Sequence, residues 1–236
     1  MNAISSTARG AVKNPTKNRI LAAAEALFAE HGVASTSLRS ITARASVNLA
    51  AVNYHFGSKD ALIEAVYERR LAPLHHARLA RLDMHEKAAR DKPLAVEKIV
   101  DAFLTPVADL GGGQENGQQN DEALIFTRLL AQTYNEAAPY VHRLMATEHQ
   151  QVMRRYKAAL VNSLPDLSIA DVCWRLHFMA MTLHQVIANN SYLQWLDEED
   201  KDKFELTRAL RRLTPFLVAG LKAPADKMPA KAKLSA

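Results

Sequence analysis

Apolar positions recur at helical spacing along nearly the whole chain, and no segment alternates as a half-buried strand would. Ile20, Leu21, Ala24, Leu27 and Phe28 form the first stripe, with Pro15-Thr16 as a helix start and His31-Gly32 as a stop. Leu38, Ile41 and Ala45 form a second, shorter one. Ser46-Val47-Asn48 breaks that run, and Asn48 suits the N-cap of a third helix over residues 49–56. Ser58 caps a fourth, which Leu62, Val66, Leu71, Leu74 and Leu79 carry toward residue 90. Pro73 is expected to kink or divide it. Pro93 opens a further helix bearing Val96, Ile99, Val100, Phe103 and Leu104. Residues 111–120, GGGQENGQQN, read as a loop, and helices are predicted over 122–134, 139–164, 168–190 and 202–221. The expected fold is all-α.

Composition agrees with that pattern. Apolar residues make up 48% of 236 and Gly only 8 residues, which favours helices with a substantial core. The pattern divides into a flexible arm (1–15), a three-helix unit (16–62), a longer helical unit (63–221) and a flexible basic tail (222–236). Net charge is +5 and uneven: residues 1–70 carry +4, residues 71–220 carry −2 and the tail +3. The N-terminal third is therefore the part suited to meeting phosphates. The single cysteine, Cys173, excludes an intramolecular disulfide framework and reads as a small buried hydrophobe. The first twenty residues lack the apolar run of a secretory signal. The most apolar later stretch, 169–187, is broken by Asp171, Arg175, His177 and His184, so no membrane span and a cytoplasmic location are expected.

Residues 37–62, SLRSITARASVNLAAVNYHFGSKDAL, carry the chemistry. Two short helices flank a three-residue turn, and Tyr54-His55-Phe56-Gly57-Ser58-Lys59 follows. A helix–turn–helix of this kind lays its second helix in the DNA major groove. Asn53 has the paired donor and acceptor that match adenine, Leu49 and Ala50 suit a thymine methyl group, and Lys59 sits where a helix N-terminus already favours phosphate. The order resembles the DNA-binding domain of the TetR family of transcriptional repressors. That resemblance implies that Ser37 and Arg39 touch phosphate or a base edge, that Leu49, Ala50, Asn53, Tyr54 and His55 line the groove, and that Lys59 contacts phosphate. Two positions depart from the family's usual residues: Ser46 stands where Gly is common and Asn53 where Tyr is.

The same resemblance implies a helical C-terminal domain with a ligand pocket, a homodimer built from its last two helices, and a near-palindromic double-stranded operator as partner. Residues 124–134, 154–167 and 171–181 are similar to the PsrA-type regulators, which implies a hydrophobic effector such as a long-chain fatty acid or its coenzyme A thioester. Phe126, Trp174, Phe178 and Met181 supply apolar surface for it, and Arg128 or Arg175 a partner for an acidic head group. The alternative for each is packed core, with each Arg paired to an acid such as Glu122 or Asp171. His142/His149 and His177/His184 are seven apart, where zinc chelation within a helix prefers three or four, and His75-His76 reads as surface. No metal, cofactor or catalytic constellation is expected, so an enzyme is not. Two other readings stay open: a helical lipid- or small-molecule-binding protein with a vestigial helix–turn–helix, and a TetR-type regulator, repressor or activator, with an unrelated hydrophobic effector.

Overall fold

Helix α1, Pro15–His31, begins where Asn14 Oδ1 accepts the Lys17 N–H at 3.2 Å and Pro15 occupies the first turn, where no N–H is needed. It ends at Gly32, whose φ of 78° lets its N–H turn back to the Phe28 carbonyl. The computed structural model describes residues 14–90, 92–111, 114–115, 118–119, 121–132, 149–188 and 205–225. Within them, α2 (Leu38–Ala45) and α3 (Leu49–Phe56) lead into α4 (Lys59–Ala89) and α5 (Val96–Gly111). Helices α6 (Asp121–Gln132), α7 (Gln150–Ser163), α8 (Ile169–Ala188) and α9 (Leu206–Lys222) complete the order. Gln114–Glu115 pairs antiparallel with Gln118–Gln119, a two-residue ladder inside the stretch expected to be loop. Among the described residues the fold is otherwise all-helical.

Several boundaries move. Helix α4 runs through Pro73 as one element, so the expected division does not occur. Pro73 is exposed, and the helix is held on the opposite side by buried Leu71, Leu74, His75 and Arg78. Burial of that face offsets the lost backbone bond. Helix α5 starts at Val96, three residues after Pro93, with the Ala95 carbonyl accepting from Lys98 and Ile99. The expected helical residues 133–134, 139–148, 189–190 and 202–204 lie outside the described residues, as do 1–13 of the arm and 226–236 of the tail.

One continuous apolar core joins the described helices. Helix α4 crosses the boundary placed at residue 62 and packs on α5, while α9 lies against α5 and α8, and α6 against α8 and α1. A polar strut runs through the interior: Arg78 Nε donates to the Phe103 carbonyl at 3.0 Å, its guanidinium lies 3.8 Å from the Phe103 ring centre, and Tyr156 Oη donates to the Arg78 carbonyl at 3.1 Å. A second network ties α1 to the rest. Glu25, with 1% of its surface exposed, accepts from Arg70 Nη2 of α4 at 2.5 Å, and Arg70 Nη1 donates to Glu122 of α6.

Two expectations fail on burial. Cys173 is exposed, because it falls on the outward stripe of α8 with residues 170, 174 and 177. His75 is buried against α4's neighbours while His76, 100° further around the helix, is exposed. No helix among the described residues is long and apolar enough to cross a membrane.

Candidate nucleic-acid interface

The helix–turn–helix is assembled by local hydrogen bonds that its own sequence supplies. Ser37 caps α2 in a reciprocal box: its Oγ accepts the Ser40 N–H at 3.1 Å and Ser40 Oγ accepts the Ser37 N–H at 3.1 Å. Arg44 reaches back to Glu30 of α1 through two hydrogen bonds of 2.7 and 2.9 Å. That partnership pulls the Glu30 carboxyl below its usual range and orients α2 on α1. The turn is made by Ser46 at φ 51° and ψ 51°, in the left-handed region, with Val47 N–H donating to the Thr42 carbonyl at 3.0 Å.

A non-glycine residue there carries a steric cost. Ser46→Gly is therefore expected to stabilise the protein by about 0.5–1 kcal/mol, read as a higher urea midpoint. An unchanged or lower midpoint contradicts this account of the turn.

Asn48 then caps α3, its Oδ1 accepting the Ala51 N–H at 2.9 Å. Val52 is fully buried and roots the helix in the core, while Phe56 packs partly against it with the Lys17 ammonium 5.6 Å from its ring centre. With Val52 inward, Leu49, Ala50, Asn53 and Tyr54 share the outward face, and Tyr54 is 85% exposed. The Tyr54 and His55 rings meet edge-on at 5.0 Å, which leaves His55 half-buried at the border of that face.

Gly57 at φ 77° turns the chain, and Ser58 Oγ caps α4 by accepting the Ala61 N–H at 3.1 Å. Lys59 follows, half-buried, its Nζ donating to the Val33 carbonyl at 2.9 Å. One of its three donors is thus spent holding the loop after α1 onto α4, and the others remain available to an anion beside the α4 N-terminus.

The structure thus brings four of the eight expected site residues, Leu49, Ala50, Asn53 and Tyr54, onto one exposed helix face. It puts Ser37 and the exposed Arg39 at the start of α2, His55 at the border and Lys59 at the start of α4. Lys17 was not foreseen: it stands in the first turn of α1, yet its ammonium lies against α3. Nothing in the local pattern connects positions 17 and 56, since only the packing of α1 on α3 brings them together.

The six residues expected to hold an effector lie on α6 and α8, with the Trp174 and Phe178 rings 5.7 Å apart. Phe126 is core, Met181 is partly buried, and Arg128 is exposed on α6. Trp174 and Phe178 are 62% and 56% exposed, on the outer face of α8. Arg175 meets no acid: it donates to the carbonyls of Leu221, Ala223 and Pro224 at the end of α9. Glu122 pairs instead with Arg70, and Asp171 accepts from Ser168 Oγ at 2.6 Å. A helical period cannot say whether an apolar stripe faces the core or solvent when a helix carries both kinds of surface. Among the described residues, no group of three or more His, Cys, Asp or Glu side chains could hold a metal.

Comparison with known proteins gives two family matches. Residues 20–66 match the bacterial regulatory proteins of the tetR family, and residues 101–220 match the tetracyclin repressor-like C-terminal domain. The HTH-type transcriptional repressor Rv3405c of Mycobacterium tuberculosis is 47% identical over 72 residues, 29% of this chain and 38% of that protein. The HTH-type transcriptional regulator UidR of Escherichia coli is 40% identical over 52 residues, 22% of this chain and 26% of that protein. The chain thus matches well under half the length of these curated relatives. A tetR-family regulatory protein from Rhodococcus RHA1 superposes with a TM-score of 0.59 at 16% identity, covering 91% of this chain and all of that one (100%). The structure of SmeT complexed with triclosan superposes with a TM-score of 0.55 at 23% identity, covering 92% and 100%. At these identities the two superpositions speak to the fold alone.

Proposed function

The chain belongs to the TetR family of bacterial regulatory proteins, and from that premise we propose that it is a ligand-responsive, DNA-binding transcriptional repressor acting as a homodimer. The observation that carries this reading is the outer face of α3. Leu49, Ala50, Asn53 and Tyr54 stand clear of the core on a helix whose turn, caps and buried Val52 hold it rigidly to α1 and α2. A vestigial reading head has no use for that combination. Each protomer puts α3 into one half-site of a near-palindromic operator, with half-sites about one helical turn apart or slightly more.

The dimer we propose forms through α8 and α9. Of the seven large hydrophobic residues that stand exposed among the described residues, four lie there: Ile169, Trp174, Phe178 and Phe216. A face of that kind is apolar enough to bury against its own copy. The effector we propose is hydrophobic, and a long-chain fatty acid or its coenzyme A thioester is the first to test, on the sequence similarity of residues 124–134, 154–167 and 171–181. Release follows if the effector binds the DNA-incompetent spacing of the two heads more tightly than the competent one.

Fluorescence anisotropy on the DNA upstream of its own gene, at two salt concentrations and with or without oleate or oleoyl-CoA, tests the whole scheme. Tight binding that weakens steeply with salt is expected, and no salt-sensitive binding sinks the reading. Asn53→Ala is expected to cost about 1–3 kcal/mol on that operator and nothing on unrelated DNA. Lys59→Gln is expected to weaken both alike and to lower the salt slope by about one. Binding by Asn53→Ala that matches wild type on every sequence would remove Asn53 from base reading.

A further inference from the structure

Five lysines and arginines lie among residues 14–62: Lys17, Arg19, Arg39, Arg44 and Lys59. They are not equally free to meet an anion. Arg44 is taken up by Glu30 of α1 through two hydrogen bonds, and Lys59 gives one donor to the Val33 carbonyl. Lys17 is exposed and, among the described residues, pairs with no carboxylate. Its ammonium stands instead over the Phe56 ring, 5.6 Å from the ring centre. A ring face attracts a cation without neutralising it. The lysine stem is thereby ordered, while the full charge and the ammonium N–H donors stay open to solvent. A carboxylate in that place would order the stem too, but would cancel the charge.

The place where this charge is held gives it a use. Phe56 is the last residue of α3, whose outward face carries Leu49, Ala50, Asn53 and Tyr54. That face holds no lysine or arginine of its own. A helix lying in a groove therefore needs cations beside it, supplied by neighbouring elements, to grip the backbones on either side. Lys59 is one, held at the loop after α1 by the Val33 carbonyl. Lys17 stands in the first turn of α1, and the helix from there to His31 spans roughly 20 Å. The two ammoniums thus sit near opposite ends of α1, so one phosphate cannot serve both. Arg19 is exposed as well, but two positions on it points about 200° further around α1.

We propose that Lys17 is a DNA-backbone contact of the reading head, with Phe56 as the residue that positions its ammonium beside α3. The inference rests on the DNA-binding reading above. The partner group is a duplex phosphate flanking the groove that α3 enters. A base edge is the poorer match, because the ammonium stands by the last residue of α3, outside the set of outward side chains. Ordering the stem in advance reduces the side-chain entropy that a free lysine loses on binding.

Fluorescence anisotropy tests this with the full chain on two duplexes, the DNA upstream of its own gene and an unrelated one, between about 50 and 200 mM salt. Lys17→Gln is expected to weaken both complexes alike, by roughly threefold to tenfold at the lower salt. It should also lower the slope of log affinity against log salt by about 0.9. Lys17→Arg, which keeps the charge, should restore the slope. Arg19→Gln removes the same charge elsewhere on α1 and should change the slope by less than about 0.3. Phe56→Leu keeps the charge but frees the stem. It should weaken binding in the wild-type background and add nothing when combined with Lys17→Gln. A wild-type slope for Lys17→Gln on both duplexes overturns the proposal and leaves the DNA-binding reading standing. Equal slope losses for Lys17→Gln and Arg19→Gln make the effect one of net charge and also overturn it. A loss confined to the upstream duplex makes Lys17 a base reader, with the same consequence. A Phe56→Leu loss that persists in full beside Lys17→Gln takes the positioning role from Phe56 and assigns its effect to α3 itself. Wild type that binds neither duplex in a salt-sensitive way overturns the DNA-binding reading, and this contact with it.

Discussion

Replacing Arg70 with alanine is expected to destabilise the protein by about 3–5 kcal/mol, the usual cost of stranding a buried charge. The guanidinium is only 16% exposed and bridges two carboxylates from different parts of the chain, Glu25 of α1 and Glu122 of α6. Burial disfavours its charge, but the hydrogen bonds it donates to Glu122 and Glu25 more than offset this and raise its pKa above the usual arginine value. Glu25 is the sensitive partner. Its side chain is 1% exposed, and without Arg70 its nearest cation is Arg69, whose Nε lies 3.4 Å away on a far more exposed side chain. Glu122, 73% exposed, is easily hydrated when released, so Glu122→Gln is expected to cost less than about 1 kcal/mol. Urea unfolding of Arg70→Ala, Glu25→Gln and the double variant checks the scheme. The double variant should be less destabilised than the two single losses added together. Full additivity, or a loss below about 1 kcal/mol for Arg70→Ala, would show that the bridge carries little.

The second large effect comes with pH. Burial, together with the nearby charges of His149, Arg78 and His76, lowers the His75 pKa from 6.5 to about 3. Burial and the charge of Arg78 lower that of His149 to about 4. The two rings lie 5.7 Å apart and are neutral in the folded protein at pH 7. In the unfolded chain both gain a proton near pH 6.5, while the folded protein resists until far lower pH. Stability is therefore complete above about pH 6.5 and falls as the pH drops toward 4. From pH 7 to pH 5 the two sites together are expected to remove about 3–4 kcal/mol. The carboxyls of Glu30, Glu97, Glu122 and Asp101, all held below their usual range by cationic partners, act in a separate window below about pH 4.5. Urea midpoints at pH 7, 6 and 5 should therefore decline already in the first interval, and more shallowly in His75→Gln/His149→Gln. Midpoints flat from pH 7 to 5 would rule out this contribution.

Much of the reading head was legible in the sequence because its determinants are local. Ser37, Asn48 and Ser58 each cap the helix that follows within three residues, and Gly32 and Gly57 take the backbone turns that glycine permits. Their effect needs no distant partner. The C-terminal half was less legible because its determinants cross between helices. Trp174 and Phe178 carry the same residue types as a pocket wall, and only the packing of α9 and α6 on α8 turns them outward. Arg175 was expected to meet an acid or a head group, yet its acceptors are carbonyls 46 to 49 positions along the chain.

Periodicity and capping residues by themselves determined the all-helical class and the helix–turn–helix, because a helix's period and its caps are written in neighbouring residues. Tertiary packing alone decided that α4 continues through Pro73, that Glu25 and His75 are buried, that Lys17 meets Phe56, and that an arginine of α8 closes α9. Each of these is set by which surfaces come together in three dimensions, and burial and charge pairing between segments far apart in sequence leave no periodic mark along it.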